Sequence, residues 1–292
     1  MKLNLDMPLA VVAHDAGAAN HILAWLREDD RLDEVRPFMQ GPAERLWRQA
    51  FPAWPICGDL DVALSDARVV ISGTGWASDV EHEARRLARE RGIPSIAVID
   101  HWVNYAERFI RHHEQIWPDE FWVVDEYALS MAEKLFQGKP VRLMPNRYLE
   151  SQVREVAPIP AVSPELLYVL EPARSDWGRG VQGEFQALDY FISRLPLLDL
   201  PADTVIRLRP HPSDAVGKYQ DWVDAHPSLR IVMDDAAQIS SALSRARWVV
   251  GCESFALVLA LNAGRQVYCT LPPWAPACRL PHAGLIYLSK IG

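Results

Sequence analysis

The sequence predicts an α/β protein made of two Rossmann-like, doubly wound domains that face a central cleft. Three observations support this class. Short apolar runs without polar alternation are separated by helical stretches, which is typical of parallel strands covered on both faces. A proline-rich stretch interrupts that rhythm at residues 150–164. The length of 292 residues is enough for about two domains of ordinary size.

In the first half of the chain, β-branched and apolar runs predict strands, and the stretches between them predict helices. The strands are expected at residues 9–14, 67–73, 94–100, 121–125 and 141–145. The helices are expected over Ala18–Arg27, Asp79–Arg91 and Glu126–Phe136. The charged face from Glu81 to Arg91 is interpreted as a solvated helix surface. These elements define a first domain over residues 1–149.

The stretch from 150 to 164 is predicted to be a linker, because it contains three prolines and no apolar run. After it the alternation resumes and defines a second domain over residues 165–292. Its strands are expected at 165–171, 204–209, 229–233, 247–251 and 266–271. Its helices are expected over Glu184–Leu195, Ala215–Ala225, Ala237–Arg245 and Phe255–Ala263. Ligands of doubly wound sheets bind at the carboxyl ends of the strands, so functional residues are expected in the loops that follow them.

Composition narrows the classes of function. Hydrophobic residues make up 49% and charged residues 23% of the chain, which excludes a disordered, collagenous or coiled-coil protein. A net charge of −8 argues against nucleic-acid binding by bulk electrostatics, so a bound phosphate needs a local basic site. The apolar runs are far shorter than the roughly 20 residues that cross a bilayer, and the N-terminus lacks the features of a signal peptide. A cytoplasmic protein is predicted.

Cysteine and tryptophan usage add two expectations. Cys57, Cys252, Cys269 and Cys278 lack the CxxC spacing of a zinc site, so they are interpreted as reduced thiols rather than metal ligands or a disulfide framework. Eleven tryptophans suit core packing, a sugar-binding cleft or a surface that faces a membrane. Peripheral association with the inner face of a membrane is therefore kept as an alternative.

The segment TVIRLRPHPSD contains the first group of candidate residues. Arg207 and Arg209 share one face of a strand, and two prolines hold His211 in an extended exit from the strand's carboxyl end. Arginine and protonated histidine bind phosphate through charge-assisted hydrogen bonds. These three residues are predicted to bind a phosphate group. The alternative is a surface arginine pair beside a turn histidine.

The segment RWVVGCESFALVLALNAG contains the second group. Gly251 ends a buried strand, and Ser254 is suited to cap the apolar helix that follows. The free amides of residues 255–257 would then attract an anion. Glu253 repels such an anion and instead suits the two hydroxyls of a ribose. A plain capped core helix is the alternative.

The segment VVAHDAGAANHI places His14 and Asp15 at the first turn from strand to helix. Gly17 and other small residues follow, and they let a ligand approach the backbone closely. The GxGxxG spacing is absent, so a dinucleotide fingerprint is not supported. Asp15 is the candidate general base, and His14 either takes that role or orients Asp15. The alternative is that Asp15 caps the helix.

Two further strand-end loops of the first domain are candidates for binding a second substrate. The residues are Ser72, Thr74 and Trp76 after one strand, and Asp100, His101 and Trp102 after the next. Aromatic rings and polar groups at one strand end suit a sugar. These six residues are predicted to bind a sugar acceptor. Packed tryptophans are the alternative.

Together, two α/β domains, an arginine-rich strand that ends in His211-Pro212, and a strand–Gly–x–Glu–Ser–helix segment resemble the two-domain GT-B glycosyltransferases. More narrowly, the chain is similar to bacterial transferases of CMP-activated acidic sugars, namely sialic, pseudaminic or legionaminic acid or Kdo. The resemblance is strongest over about residues 165–270. It implies that His211 contacts the nucleotide phosphate or assists the leaving group, that Ser254 holds the phosphate, and that Asp15 is the base.

The predicted function is therefore transfer of a nonulosonic acid or Kdo from a CMP donor to a glycan, glycolipid or protein acceptor. The first domain would bind the acceptor and the second the nucleotide sugar. No cofactor besides the donor is expected, and no metal, because no DxD motif stands at a strand end. Two alternatives stay open. One is a UDP- or other NDP-sugar transferase or epimerase, and the other is a non-catalytic nucleotide-sugar-binding protein.

Overall fold

The protein folds into two α/β units, each with its own sheet. The computed structural model describes residues 3–162, 164–173 and 175–291. Intramolecular contacts divide the chain into a first unit that ends at Tyr148 and a second that begins at Leu149. Each unit contains a six-stranded sheet, and the strands in each sheet pair in parallel. The predicted α/β class is confirmed.

The first unit contains eight strands and five helices among its described residues. The strands are β1 (Leu9–Ala13), β2 (Val35–Met39), β3 (Val69–Ser72), β4 (Ser95–Val98), β5 (Ile110–Arg111), β6 (Glu114–Gln115), β7 (Glu120–Val123) and β8 (Val141–Leu143). The helices are α1 (Ala16–Leu26), α2 (Gly41–Ala50), α3 (Leu60–Leu64), α4 (Val80–Arg91) and α5 (Glu126–Leu135). Strands β5 and β6 form a small antiparallel hairpin outside the main sheet.

The first sheet has the strand order β2-β1-β3-β4-β7-β8. The chain runs from β1 to β2 on one side and from β3 to β8 on the other, so the strand order reverses between β1 and β3. Such a topological switch point opens a crevice at the carboxyl ends of the two strands. The loops that begin at His14 and Gly73 border this crevice.

Both faces of β1 are covered by apolar side chains. Leu9, Val11 and Ala13 pack into a cluster on one face, and Ala10 and Val12 pack into a second cluster. Complete burial explains why the run LAVVA lacks polar alternation. Core packing also accounts for much of the tryptophan content. The buried tryptophans are Trp25, Trp47, Trp102, Trp122, Trp222 and Trp248.

Strand β2 is absent from the sequence-based prediction. Pro37 stands in the middle of its sequence, VRPFM, and proline cannot donate a hydrogen bond to a neighbouring strand. In the structure β2 pairs with β1 and lies at the edge of the sheet, where proline is tolerated. The proline signal thus marks an edge strand rather than a loop.

The second unit repeats the parallel architecture. Its strands are β9 (Glu165–Val169), β10 (Ile206–Arg209), β11 (Ile231–Met233), β12 (Ala246–Gly251), β13 (Gln266–Cys269) and β14 (Ile286–Tyr287). Its helices are α7 (Gly183–Arg194), α8 (Gln220–Asp224), α9 (Ile239–Arg245) and α10 (Phe255–Asn262). The strand order is β11-β10-β9-β12-β13-β14, so the switch point lies between β9 and β12.

The segment at 150–164 is only partly a linker. Helix α6 (Arg147–Arg154) occupies its beginning. Further on, the Ala157 amide donates to Ser244 Oγ at 2.9 Å, and the Ala157 carbonyl accepts from Arg265, so the second unit holds this stretch. The prolines follow the helix and mark its end, because proline cannot continue a helix. The linker prediction is therefore wrong for this part, and residue 163 lies outside the described residues.

The position of Gly251 at the end of β12 generates a stability prediction. A Cβ added there would lie 2.8 Å from the Val169 carbonyl oxygen, which belongs to the neighbouring strand and cannot move aside. We expect Gly251→Ala to lower the free energy of unfolding of the second unit by about 1–3 kcal/mol, as measured by urea denaturation. Gly58→Ala is the matched control, because a Cβ there meets nothing within 4 Å. Equal stability of the two variants would contradict this account.

Candidate functional site

The crevice at the switch point of the first unit contains a histidine–aspartate pair. Asp15 Oδ1 lies 2.7 Å from His14 Nδ1, and Asp15 Oδ2 accepts a hydrogen bond from the Trp76 amide at 2.9 Å. Asp15 stands at the N-cap position of α1, yet its side chain makes no capping hydrogen bond. The helix-cap alternative for this side chain is therefore wrong. The carboxylate is 30% exposed and so accessible to a ligand.

Two glycines from other loops make room for this pair. A Cβ on Gly75 would overlap the Asp15 carboxylate, and a Cβ on Gly41 would lie 2.6 Å from His14 Nε2. Gly41 also has a φ of +51°, which side-chain-bearing residues rarely adopt. The space around the pair thus depends on the loops after β2 and β3 as well as on the small residues of its own loop.

Glu81 fixes the loops on both sides of this crevice. Its carboxylate accepts hydrogen bonds from the amides of His14, at 3.0 Å, and Gly75, so it joins the loop after β1 to the loop after β3. Burial raises the pKa of Glu81, although the two amides and Arg85 oppose that effect. Glu81 and Arg85 are both buried. The interpretation of this helix face as solvated is wrong for these two residues.

Asp100 lies close to the same crevice. Its Oδ1 accepts a hydrogen bond from Arg108 Nη1 at 2.7 Å, and a Cβ on Gly17 would overlap its other oxygen. Burial opposes ionisation of Asp100, but the charges of Arg108, His101 and His21 and the hydrogen bond from Arg108 together outweigh it and lower the pKa. Burial lowers the pKa of the neighbouring His21 to about 4. Asp100 is thus an ionised carboxylate beside a neutral histidine at pH 7.

Three of the six predicted acceptor residues are buried and hold the unit together. The Ser72 hydroxyl accepts from Arg85 at 2.9 Å, and the Thr74 hydroxyl donates to a β4 carbonyl at 3.0 Å. The Trp102 indole N–H donates to Asp125 at 2.8 Å, and its side chain is buried. The acceptor role predicted for these three residues is therefore corrected to a structural one, because none of them presents a surface to a sugar.

The other three candidates are placed differently. Trp76 is 46% exposed, and the Arg111 guanidinium lies 5.1 Å from the centre of its ring. Asp100 keeps 21% of its side chain exposed, and His101 is partly buried with its ring 5.2 Å from that of Trp102. Trp76 is thus the accessible aromatic of the predicted set, and its backbone amide already contacts Asp15.

In the second unit, the two arginines of the Arg-x-Arg-Pro-His segment are paired with carboxylates. Arg207 donates to both oxygens of Glu165, at 2.6 and 2.8 Å. Arg209 donates to Asp234, whose side chain is fully buried, and to the Ala236 carbonyl at 2.8 Å. Both guanidinium groups thus join β10 to its neighbours. This corrects the prediction that they are free to bind phosphate.

His211 follows these arginines in an exposed turn. The Ser213 amide donates to His211 Nδ1 at 3.2 Å, so Nδ1 is the acceptor and the neutral ring carries its hydrogen on Nε2. The His211 amide donates to Asp214 at 2.9 Å, which closes the turn. The turn therefore presents an N–H donor to solvent at the carboxyl end of β10.

A buried ion triad supports this turn from below. Lys218 Nζ lies 2.7 Å from both Asp214 and Glu184. The other oxygen of Glu184 accepts from the Ala173 amide at 3.0 Å. Burial disfavours the charge on Lys218, but hydrogen bonds to the two carboxylates outweigh it and raise the pKa. The triad links the loop after β9 to the turn after β10.

The switch point of the second unit contains an amide cradle, formed by the backbone amides of residues 252–254. All three donate to one oxygen of Glu171, at 3.1 Å from Cys252 and 2.8 Å from both Glu253 and Ser254. Burial raises the pKa of Glu171 to about 7, although the amides oppose that effect. The cradle is an anion-binding arrangement whose occupant is the protein's own carboxylate.

The predicted roles around α10 are partly corrected. Ser254 caps the helix as expected, since its Oγ accepts from the Ala256 amide at 3.2 Å. The Ala256 and Leu257 amides both bond to Ser254, so the anion-binding amides lie earlier, at 252–254. The Glu253 carboxylate pairs with Arg279, whose amide donates to it at 3.1 Å. The Glu253 carboxylate therefore already has a partner, whereas the prediction of ribose binding assumed that it had none.

Among residues 3–162, 164–173 and 175–291, no group of three or more His, Cys, Asp or Glu side chains is arranged to hold a metal ion. In the same part of the chain, none of the helices has the length and apolar character needed to span a bilayer. Metal-independent chemistry and a cytoplasmic location stay predictions.

The site residues that the sequence did not indicate are mainly charged partners in other loops. Glu81 and Glu171 hold backbone amides, and Lys218 and Glu184 support the His211 turn. One local signal exists: Asp214 and Lys218 have the i, i+4 spacing of a helical ion pair. The other partners are distant in sequence and depend on the order of the strands.

No protein-family model matches the chain, and no curated protein sequence matches it. Solved structures do resemble it. UDP-GlcNAc 2-epimerase from Neisseria meningitidis, bound to UDP-GlcNAc, aligns with a TM-score of 0.59 and 12% identity, covering 89% of this chain and 82% of that chain. UDP-GlcNAc 2-epimerase from Methanocaldococcus jannaschii gives 0.58 and 9%, covering 89% and 83%. MurG from Acinetobacter baumannii gives 0.51 and 12%, covering 97% and 86%.

Identities this low establish a shared fold and nothing further. The chain therefore has the GT-B fold of two Rossmann-like α/β domains that its sequence resembles, and that prediction is confirmed.

Glu171 generates a prediction about pH. Its pKa is about 7 in the folded chain against an ordinary 4.5, so between these values the folded chain binds more protons than the unfolded chain. The free energy of unfolding therefore falls as pH rises through this range, by up to about 3 kcal/mol from this group. We expect Glu171→Gln, which keeps an acceptor oxygen but cannot titrate, to remove this fall. Urea denaturation at about pH 5 and about pH 7.5 measures it.

Glu133→Gln is the matched control for this experiment, because Glu133 is an exposed residue of α5. The control should keep the pH dependence of the wild type. If Glu171→Gln also keeps it, the carboxylate in the cradle is not the group that titrates.

Proposed function

We propose that the protein is an enzyme that acts on a nucleoside-diphosphate-activated sugar. The observation that carries this proposal is the content of the two switch-point crevices. The first contains an accessible carboxylate paired with His14, and the second contains three convergent backbone amides in the loop after β12, the strand beside β9. Breaking the bond between a sugar and a nucleotide requires a proton acceptor and donors that stabilise the departing phosphate. The first crevice contains a candidate acceptor, and the second contains candidate donors.

On the donor side, a phosphate is proposed to bind in the amide cradle that Glu171 now occupies. A phosphate has the same negative charge and accepts the same hydrogen bonds as a carboxylate, so it can replace Glu171 there. In the cradle Glu171 has a pKa of about 7, so near neutral pH it can take up a proton before the phosphate enters. Protonation removes the repulsion between Glu171 and the incoming phosphate.

His211 is proposed as the second phosphate contact. Its turn fixes Nδ1 as an acceptor and leaves Nε2–H facing solvent at the carboxyl end of β10, which pairs with β9. A hydrogen bond to a charged phosphate contributes about 1.5–3 kcal/mol. The buried triad of Lys218, Asp214 and Glu184 is proposed to position this turn. Arg207 and Arg209 act less directly, by holding β10 in the sheet.

Glu253 remains the proposed contact to the ribose. Its carboxylate accepts from the Arg279 side chain and amide, and a carboxylate has about four lone-pair sites for hydrogen bonds. Sites that the arginine leaves open can accept from sugar hydroxyls. Gly251 is proposed to contact no ligand. Its contribution is the absence of a side chain, which lets β12 approach β9 closely.

Asp15 is proposed as the general base. One oxygen is held by the Trp76 amide and the other by His14, so the carboxylate is fixed yet partly exposed. A hydroxyl is a weak nucleophile until its proton is removed, and a positioned carboxylate accelerates such a step by roughly 10²–10⁴-fold. His14 orients Asp15, and the exposed ring of Trp76 is suited to stack on a sugar.

A UDP-activated substrate is proposed in place of the CMP-activated one that the sequence suggested. Both 2-epimerases compared above have UDP-GlcNAc in their names, and the Neisseria enzyme was solved with UDP-GlcNAc bound. The cradle also suits a diphosphate. Its three amides follow β12 and His211 follows β10, so donors come from the loops after the two strands that flank β9. The acceptor, whether glycan, glycolipid or protein, is carried over from the sequence as part of this proposal.

Glycosyl transfer and epimerisation are both compatible with a fixed base and a phosphate cradle. Transfer is favoured by the exposed Trp76 beside Asp15, since it offers a surface for a second sugar. Epimerisation is favoured by the TM-scores, which are 0.58 and 0.59 for the two epimerases and 0.51 for MurG. Inverting a C–H centre exchanges its hydrogen with solvent, whereas transfer leaves the sugar's C–H bonds intact.

The donor class generates the next prediction. We expect UDP and UDP-GlcNAc to raise the melting temperature, and CMP to leave it unchanged. Ligand at about 100 times its Kd adds about 2.7 kcal/mol to the stability of the folded state. His211→Asn should weaken UDP binding at least about tenfold, because a charge-assisted hydrogen bond is lost. His113→Asn, at an exposed turn of the β5–β6 hairpin, should bind UDP as the wild type does. Stabilisation by CMP alone would overturn the UDP proposal.

Asp15 generates a prediction about turnover. We expect Asp15→Asn to reduce turnover of UDP-sugars at least about 100-fold with UDP affinity nearly unchanged, because the amide cannot accept a proton. Turnover is measured as UDP release for transfer and as deuterium incorporation for epimerisation. Asp33→Asn, at an exposed position, is the control. The assay is run in D2O, so that deuterium in the recovered sugar identifies an epimerase. Full activity of Asp15→Asn would exclude it as the base. Absence of turnover in the wild type, with UDP still bound, would favour a non-catalytic binding protein.

A further inference from the structure

Three of the four cysteines meet beside the amide cradle, although they are far apart in the sequence. Cys269 Sγ donates to the Cys252 carbonyl at 3.2 Å, and Cys278 Sγ lies 3.7 Å from the same oxygen. Both sulfurs thus contact one carbonyl oxygen, which places the two thiols next to each other. Cys252 itself provides an amide of the cradle. The cluster has no local signal in the sequence, because no two of these residues have a recognised spacing.

Cys278 lies on the connection between β13 and β14, residues 270–285, which we call the strap. The strap is attached to the cradle through Arg279, which pairs with Glu253. It is attached to α7 and to the loop before it through Trp274, whose indole N–H donates to Gln186 of α7 at 2.7 Å and whose ring lies 3.8 Å from the guanidinium of Arg179 in the loop. A change in the position of Cys278 therefore moves a segment that contacts both sides of the switch point.

The two neighbouring thiols differ in access and in acidity. Cys269 is buried at the end of β13, whereas Cys278 is partly exposed. The nearby Cys269 thiol lowers the pKa of Cys278, while burial and the neighbouring carboxylates oppose it. The nearby Cys278 thiol, with burial, raises the pKa of Cys269. An accessible, more acidic thiol next to a buried one is the arrangement of an attacking and a resolving cysteine.

We propose that Cys269 and Cys278 form a reversible disulfide that fixes the strap to the end of β13. The oxidant is a low-molecular-weight disulfide such as oxidised glutathione. Cys278 thiolate attacks one of its sulfurs, its S–S bond breaks, and one glutathione thiolate leaves. Cys269, after losing its proton, attacks the sulfur of Cys278 in the mixed disulfide and releases the second glutathione. Two protein thiols thereby lose two protons and two electrons, and the glutathione disulfide is reduced to two thiols.

The disulfide alters the cradle through Arg279, the residue that follows Cys278. An S–S bond of about 2.05 Å is shorter than any thiol–thiol contact, so closing it draws the strap towards β13 and shifts the Arg279–Glu253 pair. The effect on UDP binding rests on the function proposed above. Formation of the disulfide does not rest on that function, since it depends only on the thiols of Cys269 and Cys278.

The test uses the full chain incubated with a glutathione redox buffer, followed by alkylation and peptide mass spectrometry. We expect two of the four thiols to be lost and a Cys269–Cys278 cross-linked peptide to form. Cys269→Ser should stop the reaction at a glutathione adduct on Cys278, and Cys278→Ser should prevent it. Cys252→Ser should still form the disulfide. Cys57, which lies in the first unit, should stay reduced and serves as the internal control.

Failure of this proposal is distinguishable from failure of the proposed function. A Cys252–Cys278 bond, preferential modification of Cys57, or four intact thiols at an oxidising glutathione ratio would each overturn the disulfide. UDP affinity is then compared before and after oxidation, with Cys278→Ser as the variant that cannot respond. A mapped Cys269–Cys278 disulfide in a protein that binds no UDP would leave the redox pair established and overturn the nucleotide proposal only.

Discussion

In each unit, one glutamate holds the backbone amides of the loops at the switch point, a buried one in the first unit and a half-buried one in the second. Glu81 accepts from the amides of His14 and Gly75, and Glu171 accepts from three successive amides that begin at Cys252. Loops at the carboxyl end of a parallel sheet carry N–H groups with no strand partner, and buried N–H groups without acceptors destabilise a fold. One carboxylate satisfies several of them at once. Burial of the charge opposes this arrangement, and the raised pKa of both glutamates records the opposition.

Four cations near the switch point of the second unit are also paired with carboxylates. Arg207, Arg209, Lys218 and Arg279 each pair with a carboxylate, so these cations are engaged in joining strands and loops. The donors proposed for an incoming phosphate are therefore backbone N–H groups and a histidine. Such donors are fixed by the fold and require little reorganisation when charge develops on a leaving group.

The sequence was sufficient for elements whose signal is local, and insufficient for contacts that depend on strand order. The apolar runs located β1 and β12, and the Ser254 cap followed from its place before an apolar helix. The partner of Glu171 lies about eighty residues away in the loop after β12, because β9 and β12 become neighbours only when the sheet forms. Trp76 and Trp102 both follow strands, yet Trp102 is buried because Asp125, from the loop after β7, accepts its N–H. The residues next to each tryptophan in the sequence do not predict which of the two is buried.

The glycines of the first crevice are matched one to one with acids. The space that a side chain would take at Gly17, Gly73 or Gly75 is occupied by the carboxylate of Asp100, Glu81 or Asp15, respectively. A methyl group at any of the three displaces an acid that lies on a different segment of the chain. Substitution of either residue of a pair is therefore expected to require substitution of the other. In an alignment of homologues these three pairs should covary, which would trace the crevice without any knowledge of the substrate.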